Sequence, residues 1–192
     1  NMAIHNKQDV IVYNTYQLYR HDRLTFLQNT LNDALKNNYK VGAKLVRGAY
    51  MEKERKRAIE KNYTSPIQPN KQNSDNDYNN ALTFCVENIN NVALCAGTHN
   101  EESSLHLVKL MQKHNLTPND KRIYFSQLYG MSDHISYNLS LNNYNVAKYV
   151  PYGPVNEVLP YLIRRAQENT SVKGQTGREL NLILKEKKRR SL

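Results

Sequence analysis

The chain has no tryptophan, three phenylalanines and two cysteines in 192 residues, so its 14 tyrosines supply most of the aromatic volume. Two cysteines cannot build a disulfide framework. Cys85 falls in a helical pattern and Cys95 in a strand pattern, both among apolar neighbours, and they read as two buried thiols of a reducing compartment rather than a disulfide or a thiolate metal site. The six histidines lack a zinc-like spacing, so no metal centre is expected. No stretch of about 18 apolar residues and no signal peptide is present, which argues against a secreted or membrane-spanning protein. A Gly-rich turn after the first strand pattern is also missing: Val12-Tyr13-Asn14-Thr15-Tyr16-Gln17 runs straight into a polar segment, which disfavours a dinucleotide-binding Rossmann start.

The composition, 39% hydrophobic and 23% charged, is that of a globular protein, and the length suits one domain of ordinary size. Lys+Arg 27 against Asp+Glu 17 leaves a formal net charge of +10, a balance that favours nucleic acid, an anionic cofactor, acidic substrates or an anionic membrane face. Much of the excess sits in Lys53 to Lys61 and Lys185 to Arg190, each of which reads as a solvated helical face. A nucleic-acid partner is not expected, because no recognition module or aromatic platform accompanies the charge. The paired asparagines, such as Asn37-Asn38 and Asn142-Asn143, read as compositional drift without function.

Two kinds of segment alternate along the chain. Val10 to Tyr16, Ala43 to Arg47, Val92 to Ala96, Arg122 to Gln127 and Val146 to Val150 read as strands. Helical periodicity follows each, at Leu24 to Leu35, Tyr78 to Ile89, Leu105 to Met111, His134 to Leu141 and Val158 to Ile163, with a last amphipathic helix from Arg178 to about Lys188. Asp75 with Asp77, Glu101 with Glu102, and Ser132 with Asp133 are the expected caps or first-turn acids. Five βα units in series imply a parallel sheet, in either a doubly wound sheet or a (β/α)₈ barrel. A barrel needs three more strands. The chain opens on Asn1 with Met2, and a strand pattern starts within ten residues, as expected of a piece of a longer protein. The longest interruptions, Gly48 to Pro69 and Tyr149 to Pro154, follow strand ends, where such folds collect ligand-binding loops.

Polar groups gather at those same ends. Lys44 and Arg47 lie three apart on one strand, so alternation turns one inward while the other emerges at the strand end. Gly48 suits close approach of backbone to a flat or charged ligand. Thr98-His99-Asn100 suits hydrogen bonding to a cofactor ring or phosphate, and Gln127 and Tyr149 end the next two strands on the same rim. In the following helix, Arg164 stands four residues before Glu168 and Arg165 four after Tyr161; adjacent Arg forks suit a planar carboxylate.

The stretches Lys44 to Arg55 (KLVRGAYMEKER), Ser65 to Asn70 (SPIQPN), Ser74-Asp75, Tyr78-Asn79, Thr98-His99-Asn100, Gln127 to Asp133 (QLYGMSD), and Lys148 to Val155 followed by Tyr161 to Arg165 and Glu168-Asn169, in this order, resemble proline dehydrogenase of the single-function type. The resemblance runs from about Val10 to Arg190. It implies that residues 1–192 are the C-terminal portion of a TIM-type (β/α)₈ barrel domain, its last five βα units plus a C-terminal helix. It also implies non-covalent FAD, oxidation of L-proline to Δ1-pyrroline-5-carboxylate by hydride transfer to the flavin, and quinone as electron acceptor. By the same resemblance, Arg164 and Arg165 grip the proline carboxylate with Glu168 in support, while Tyr149, Tyr161 and Leu128 wall the pocket. Lys44 lies beside the flavin ring, Arg47, Gly48 and Ala49 touch the cofactor, and Thr98, His99, Asn100 and Gln127 add cofactor contacts; Asn14 takes the place of a flavin-facing Gln. Ser74 stands where Thr is common.

The family's first three strands, with a lysine and an aspartate that help close the pocket, have no counterpart here. The piece alone is therefore expected to be inactive and the full-length protein active. A hydroxyproline or other cyclic amino-acid substrate is the alternative, with Tyr149 as the residue to exclude an added hydroxyl. Functional coupling to pyrroline-5-carboxylate dehydrogenase, and a location in the cytoplasm, peripherally at the inner face of a bacterial membrane or in a mitochondrion, complete the expectations.

Overall fold

The computed structural model describes residues 1–171 and 175–190, without the side chains of residues 166–171, 175–180, 182 and 183. It falls into two units, residues 1–149 and 150–192, each taken by itself below. The first contains a five-stranded parallel sheet built from β1 (Asn14–Gln17), β2 (Val41–Val46), β3 (Val92–Gly97), β4 (Ile123–Leu128) and β5 (Val146–Tyr149), hydrogen-bonded in the order β1-β2-β3-β4-β5. The strand order never reverses, which is the winding of a barrel wall; a doubly wound sheet reverses at its switch point. The chain is an α/β partial barrel.

The helices α2 (Arg23–Lys36), α4 (Lys71–Glu87), α5 (Glu101–Lys113) and α6 (Asp133–Leu141) cover one face of this sheet. Alternation supplies that face: Tyr16, Ala43, Leu45, Leu94, Ala96, Ile123 and Phe125 point into the helix layer and are buried. From α2 come Leu27, Leu31 and Ala34, spaced four and three apart as one helical stripe must be. Registered opposite faces carry Thr15, Lys44 and Cys95, the side that is the interior of a barrel.

Asparagine ends the helices. Among the described residues, Asn38, Asn62, Asn115 and Asn143 each have φ between 51° and 63°, and each follows directly on the C-cap of α2, of α3 (Met51–Glu60), of α5 and of α6. The next amide closes the turn in every case, from Tyr39 to Ala34 O, Tyr63 to Ala58 O, Leu116 to Met111 O and Tyr144 to Leu139 O, at 2.9–3.0 Å. That is the Schellman pattern, with Asn in the left-handed position it tolerates better than other residues bearing a Cβ. Asn38 and Asn143, read from the sequence as drift, are helix stops.

Other expectations shift. The strand expected over Val10 to Tyr16 shrinks to Asn14–Gln17, because Val10 to Tyr13 crosses Gly42 instead: a Cβ on Gly42 would lie 2.2 Å from Val12 O. Asn6, after the short helix α1 (Met2–His5), holds that crossing. It is fully buried; its Nδ2 donates to Val12 O (2.7 Å) and Lys40 O (3.1 Å), and its Oδ1 accepts from the Ile11 and Val12 amides (both 2.9 Å). The interruption from Gly48 to Pro69 contains α3, where Lys53, Lys56 and Arg57 line the solvated face expected of them, while Arg55 is half-buried and donates to Gln68 O (3.3 Å). Helix α4 starts at Lys71 under an Asn70 cap (Asn73 N to Oδ1, 2.8 Å), not at Asp75 or Asp77, which lie inside it. Glu101 and Glu102 do fill the first turn of α5, beneath Asn100 as cap (Ser103 N to Oδ1, 2.8 Å).

The second unit holds α7 (Val155–Ser171), with Pro160 inside it, and α8 (Gln175–Arg190), which ends on Lys187, Lys188, Arg189 and Arg190. The polar turn expected at Thr170 to Gln175 falls mostly on residues outside those described. Substituting Asn6 by Ala should cost about 3 kcal/mol, because it removes a fully buried amide and the four hydrogen bonds it makes to partly buried backbone groups. Urea unfolding of the protein carrying this chain checks this; an unchanged midpoint would show the crossing to be dispensable.

Candidate active site

The strand ends bear two sets of polar residues, and alternation sends them to opposite sides. Arg47, one step past β2, has the parity of Leu45 and turns toward the helices. Its Nε donates to Asp75 Oδ1 (2.6 Å), Nη1 to Thr98 Oγ1 (2.9 Å) and Nη2 to Ser103 Oγ (2.9 Å), while the guanidinium lies 4.4 Å from the centre of the Tyr78 ring. One side chain thus ties β2, β3, α4 and α5 together. Asp75 also accepts from Lys71, and Ser103 Oγ donates to Asn79 Oδ1 (2.8 Å). Burial pushes the Asp75 carboxyl up, but the hydrogen bonds from Lys71 and Arg47 outweigh it and hold the group below the usual carboxylate range.

Gln127 also turns to the helix side. It is 2% exposed, donates from Nε2 to Thr98 O (3.3 Å) and accepts at Oε1 from Ser136 Oγ (2.9 Å) on α6. Of the residues expected to contact a cofactor, Arg47, Thr98 and Gln127 are engaged in this internal network. The Asn100 amide oxygen caps α5. Asn14 has the helix-side parity of Tyr16, and the β1 residues that share the Lys44 side are Thr15, its register partner, and Gln17, paired with Val46. Gly48 makes its close approach to the protein's own ring: at φ 118°, a Cβ there would lie 1.5 Å from Tyr19 Cε1. The SPIQPN segment straps the same corner, with Gln68 N on Tyr19 O (2.7 Å) and His21 N on Pro66 O (3.1 Å).

On the other side, three expected residues converge. Leu128 and Tyr149 are register partners at the ends of β4 and β5, and Lys44 Nζ lies 5.6 Å from the centre of the Tyr149 ring. Among the described residues Lys44 has no carboxylate within ion-pairing distance. Cys95 is its registered neighbour and is half-buried, not fully buried as expected; burial pushes its thiol up against the pull of Lys44 and Ser126, so it stays protonated and inert. His99 continues the same parity past β3 and meets Ser132 Oγ through Nδ1 at 3.0 Å. Gln17 was missed because the expected strand stopped at Tyr16, and the pairing with β2 that puts Thr15 and Gln17 on the Lys44 side is not written in the order of residues.

In the second unit, Arg165 lies with its guanidinium 5.2 Å from the Tyr161 ring centre, one turn away on α7. Arg164 is the adjacent residue, and the Glu168 side chain falls outside those described. Among the described residues no group of three or more His, Cys, Asp or Glu is placed to hold a metal ion, and no helix is long and apolar enough to cross a membrane.

A singly wound parallel sheet with a lysine, a tyrosine and a leucine meeting at its C-terminal strand ends is part of a barrel of the (β/α)₈ type, a fold that collects its binding loops at that end. The chain belongs to the proline dehydrogenase family, an oxidoreductase family whose model matches residues 1–178. It is similar to proline dehydrogenase 1, mitochondrial, of Drosophila melanogaster (39% identical over 199 residues, 98% of this chain and 29% of that protein) and of Homo sapiens (41% over 188 residues, 96% and 31%). Hydroxyproline dehydrogenase of Xenopus laevis is 41% identical over 189 residues, 96% of this chain and 41% of that protein. Among solved structures, proline utilization A from Bdellovibrio bacteriovorus, inactivated by N-propargylglycine, superposes with a TM-score of 0.78 at 27% identity over 83% of this chain and 16% of that one. The chain thus spans about a third of the length of the curated relatives it matches.

Replacing Asp75 by Asn should cost about 3 kcal/mol at neutral pH, since Arg47 loses the charged partner that offsets its burial. The lowered carboxyl contributes stability that is present above about pH 4, its unfolded value, and is lost as pH falls through its folded value. Urea midpoints from pH 7 to pH 2 should therefore show a shallower acid limb in the variant; parallel curves would mean that Asp75 is not the linked group.

Proposed function

We propose that the protein carrying this chain oxidises L-proline to Δ1-pyrroline-5-carboxylate, with residues 1–192 as the C-terminal portion of its barrel domain. The observation that carries the reading is the meeting of Lys44, Leu128 and Tyr149 on the concave side of the sheet in a member of this family. A lysine without a counter-ion fits an anionic cofactor, and FAD supplies the hydride acceptor when bound. Lys44 and His99 are the residues of this chain best placed to hold it, with Gln17 in place of Asn14. The fixed ammonium favours the charge that reduction adds. Tyr149 and Leu128 offer an apolar wall of the size of a five-membered ring, and Arg164 and Arg165 supply two forks for its carboxylate, steadied by Glu168. Proline loses a hydride from the ring carbon beside nitrogen and a proton from the nitrogen, leaving a C=N bond; the chain's residues need only orient the ring and exclude water.

Quinone is the proposed terminal acceptor, reached through peripheral membrane contact of the basic C-terminal helix. Functional coupling to a pyrroline-5-carboxylate dehydrogenase is the proposed next step, since the cyclic imine product calls for a second oxidation. The mitochondrial names of the eukaryotic relatives support a mitochondrial site if the source is a eukaryote, and the cytoplasmic face of the inner membrane if it is a bacterium. The second reading, hydroxyproline as substrate, is favoured by one fact: the hydroxyproline enzyme of Xenopus laevis is as similar to this chain as the human proline enzyme.

Proline-dependent dye reduction by the full-length protein tests the reading. Arg164→Ala should lower kcat/KM about a hundredfold, mostly through KM, as expected of a carboxylate deprived of one fork. Turnover on 4-hydroxyproline exceeding that on proline would move the assignment to the second reading; turnover on neither would remove both.

A further inference from the structure

Five residues other than glycine have positive φ among those described, and four are the asparagines that end helices. The fifth is Ser132, at φ 52° and ψ 42°. Serine has no amide to stabilise a left-handed backbone, so the conformation is held from outside. Lys148 on β5 provides part of the hold, donating to Met131 O (2.9 Å) and to Asp133 Oδ1 (2.7 Å), the residues on either side. Helix α6 provides the rest: the Ser132 carbonyl accepts from the amides of Ile135 (3.0 Å) and Ser136 (3.2 Å) and from Ser136 Oγ (3.4 Å).

Ser132 occupies the position before the first residue of α6, where a serine ordinarily has an extended backbone and accepts from an amide of the first turn. Here the side chain caps nothing. The left-handed backbone turns Oγ away from the helix and onto His99 Nδ1, 3.0 Å away, at a site where Ser132 itself is 2% exposed. A buried hydroxyl that gives up a helix cap in a disfavoured conformation to meet one imidazole has that imidazole as its purpose. The contact also closes a ring of hydrogen bonds, since Ser136 Oγ continues to Gln127, and Gln127 to the carbonyl of Thr98, the residue before His99.

We propose that Ser132 is a positioning residue: Lys148 and α6 hold it left-handed so that its hydroxyl fixes the ring plane of His99 at the end of β3. The backbone on one side of the imidazole and the hydroxyl on the other belong to one network, so the direction of the second ring nitrogen is set before any ligand arrives. The consequence for cofactor binding rests on the function proposed above; the orientation of His99 does not.

The test uses the full-length protein with ¹⁵N-labelled histidine, comparing Ser132→Gly and Ser132→Ala with the parent. Both remove the hydroxyl, but glycine accepts the left-handed backbone and alanine does not, so Ser132→Gly should unfold at the higher temperature of the two. In both, the His99 ring-nitrogen resonances should shift and broaden as the ring leaves its fixed plane, and FAD should bind about fivefold more weakly, the loss expected for one hydrogen bond. A merely structural turn predicts that Ser132→Gly keeps the parental ring-nitrogen signals; that result overturns the proposal. Should the parent itself bind no FAD, the flavin reading falls, while the ring-nitrogen comparison still decides the role of Ser132.

Discussion

The Arg47 guanidinium is the point on which the C-terminal side of the sheet is organised. It sits where β2 stops, and its three hydrogen-bonded partners come from α4, from the end of β3 and from the first turn of α5. A cation placed there has lost much of its water. Asp75 offsets that loss with charge, the Tyr78 ring with its face, and two hydroxyls fill the remaining directions of the fork. Strand ends that might otherwise fray independently are thereby held at one height, which is what a site assembled from several strand ends requires.

From Thr98 the same network continues through Gln127 and Ser136 to Ser132 and His99. Thr98, Gln127, Ser132 and Ser136 are buried and hydrogen-bonded to one another, and this chain of bonds stiffens the rim. The concave side is different. Lys44 has an aromatic face beside it and, among the described residues, no carboxylate, and the Leu128 and Tyr149 wall stands next to it. A helix side closed by internal hydrogen bonds and a concave side with an unanswered charge make a division of labour: one holds the geometry, the other meets the ligand.

The βα order, the number of strands and the C-terminal rim were legible in the sequence because each depends on local signals: β-branched and aromatic runs, helical spacing, and polar residues just after the runs end. The Lys44, Tyr149 and Leu128 grouping was legible through the family resemblance. Less legible was the side on which each rim residue lies. Arg47, Thr98 and Gln127 carry the same kinds of polar groups as Lys44 and His99, and nothing in their chemistry says which way they turn. Parity decides it, and parity is set by the register each strand takes with its neighbour. In β1, Val10 to Tyr13 is as β-prone as any strand, yet it crosses Gly42 outside the sheet, and the pairing of Asn14 with Ala43 and of Gln17 with Val46 puts Asn14 on the helix side and Gln17 on the Lys44 side.

By itself the sequence determined the repeating βα pattern, the parallel sheet and the family, since these are written in periodicity and in motifs that stay together along the chain. The helix stops were present as asparagines but unreadable, because an asparagine marks a left-handed turn only once a helix is known to end there. Only the tertiary structure decided which polar groups answer one another and which remain for a ligand. Hydrogen bonds such as Arg47 to Ser103 join residues 56 positions apart, and whether a side chain's capacity is already used depends on neighbours that the order of residues does not bring together.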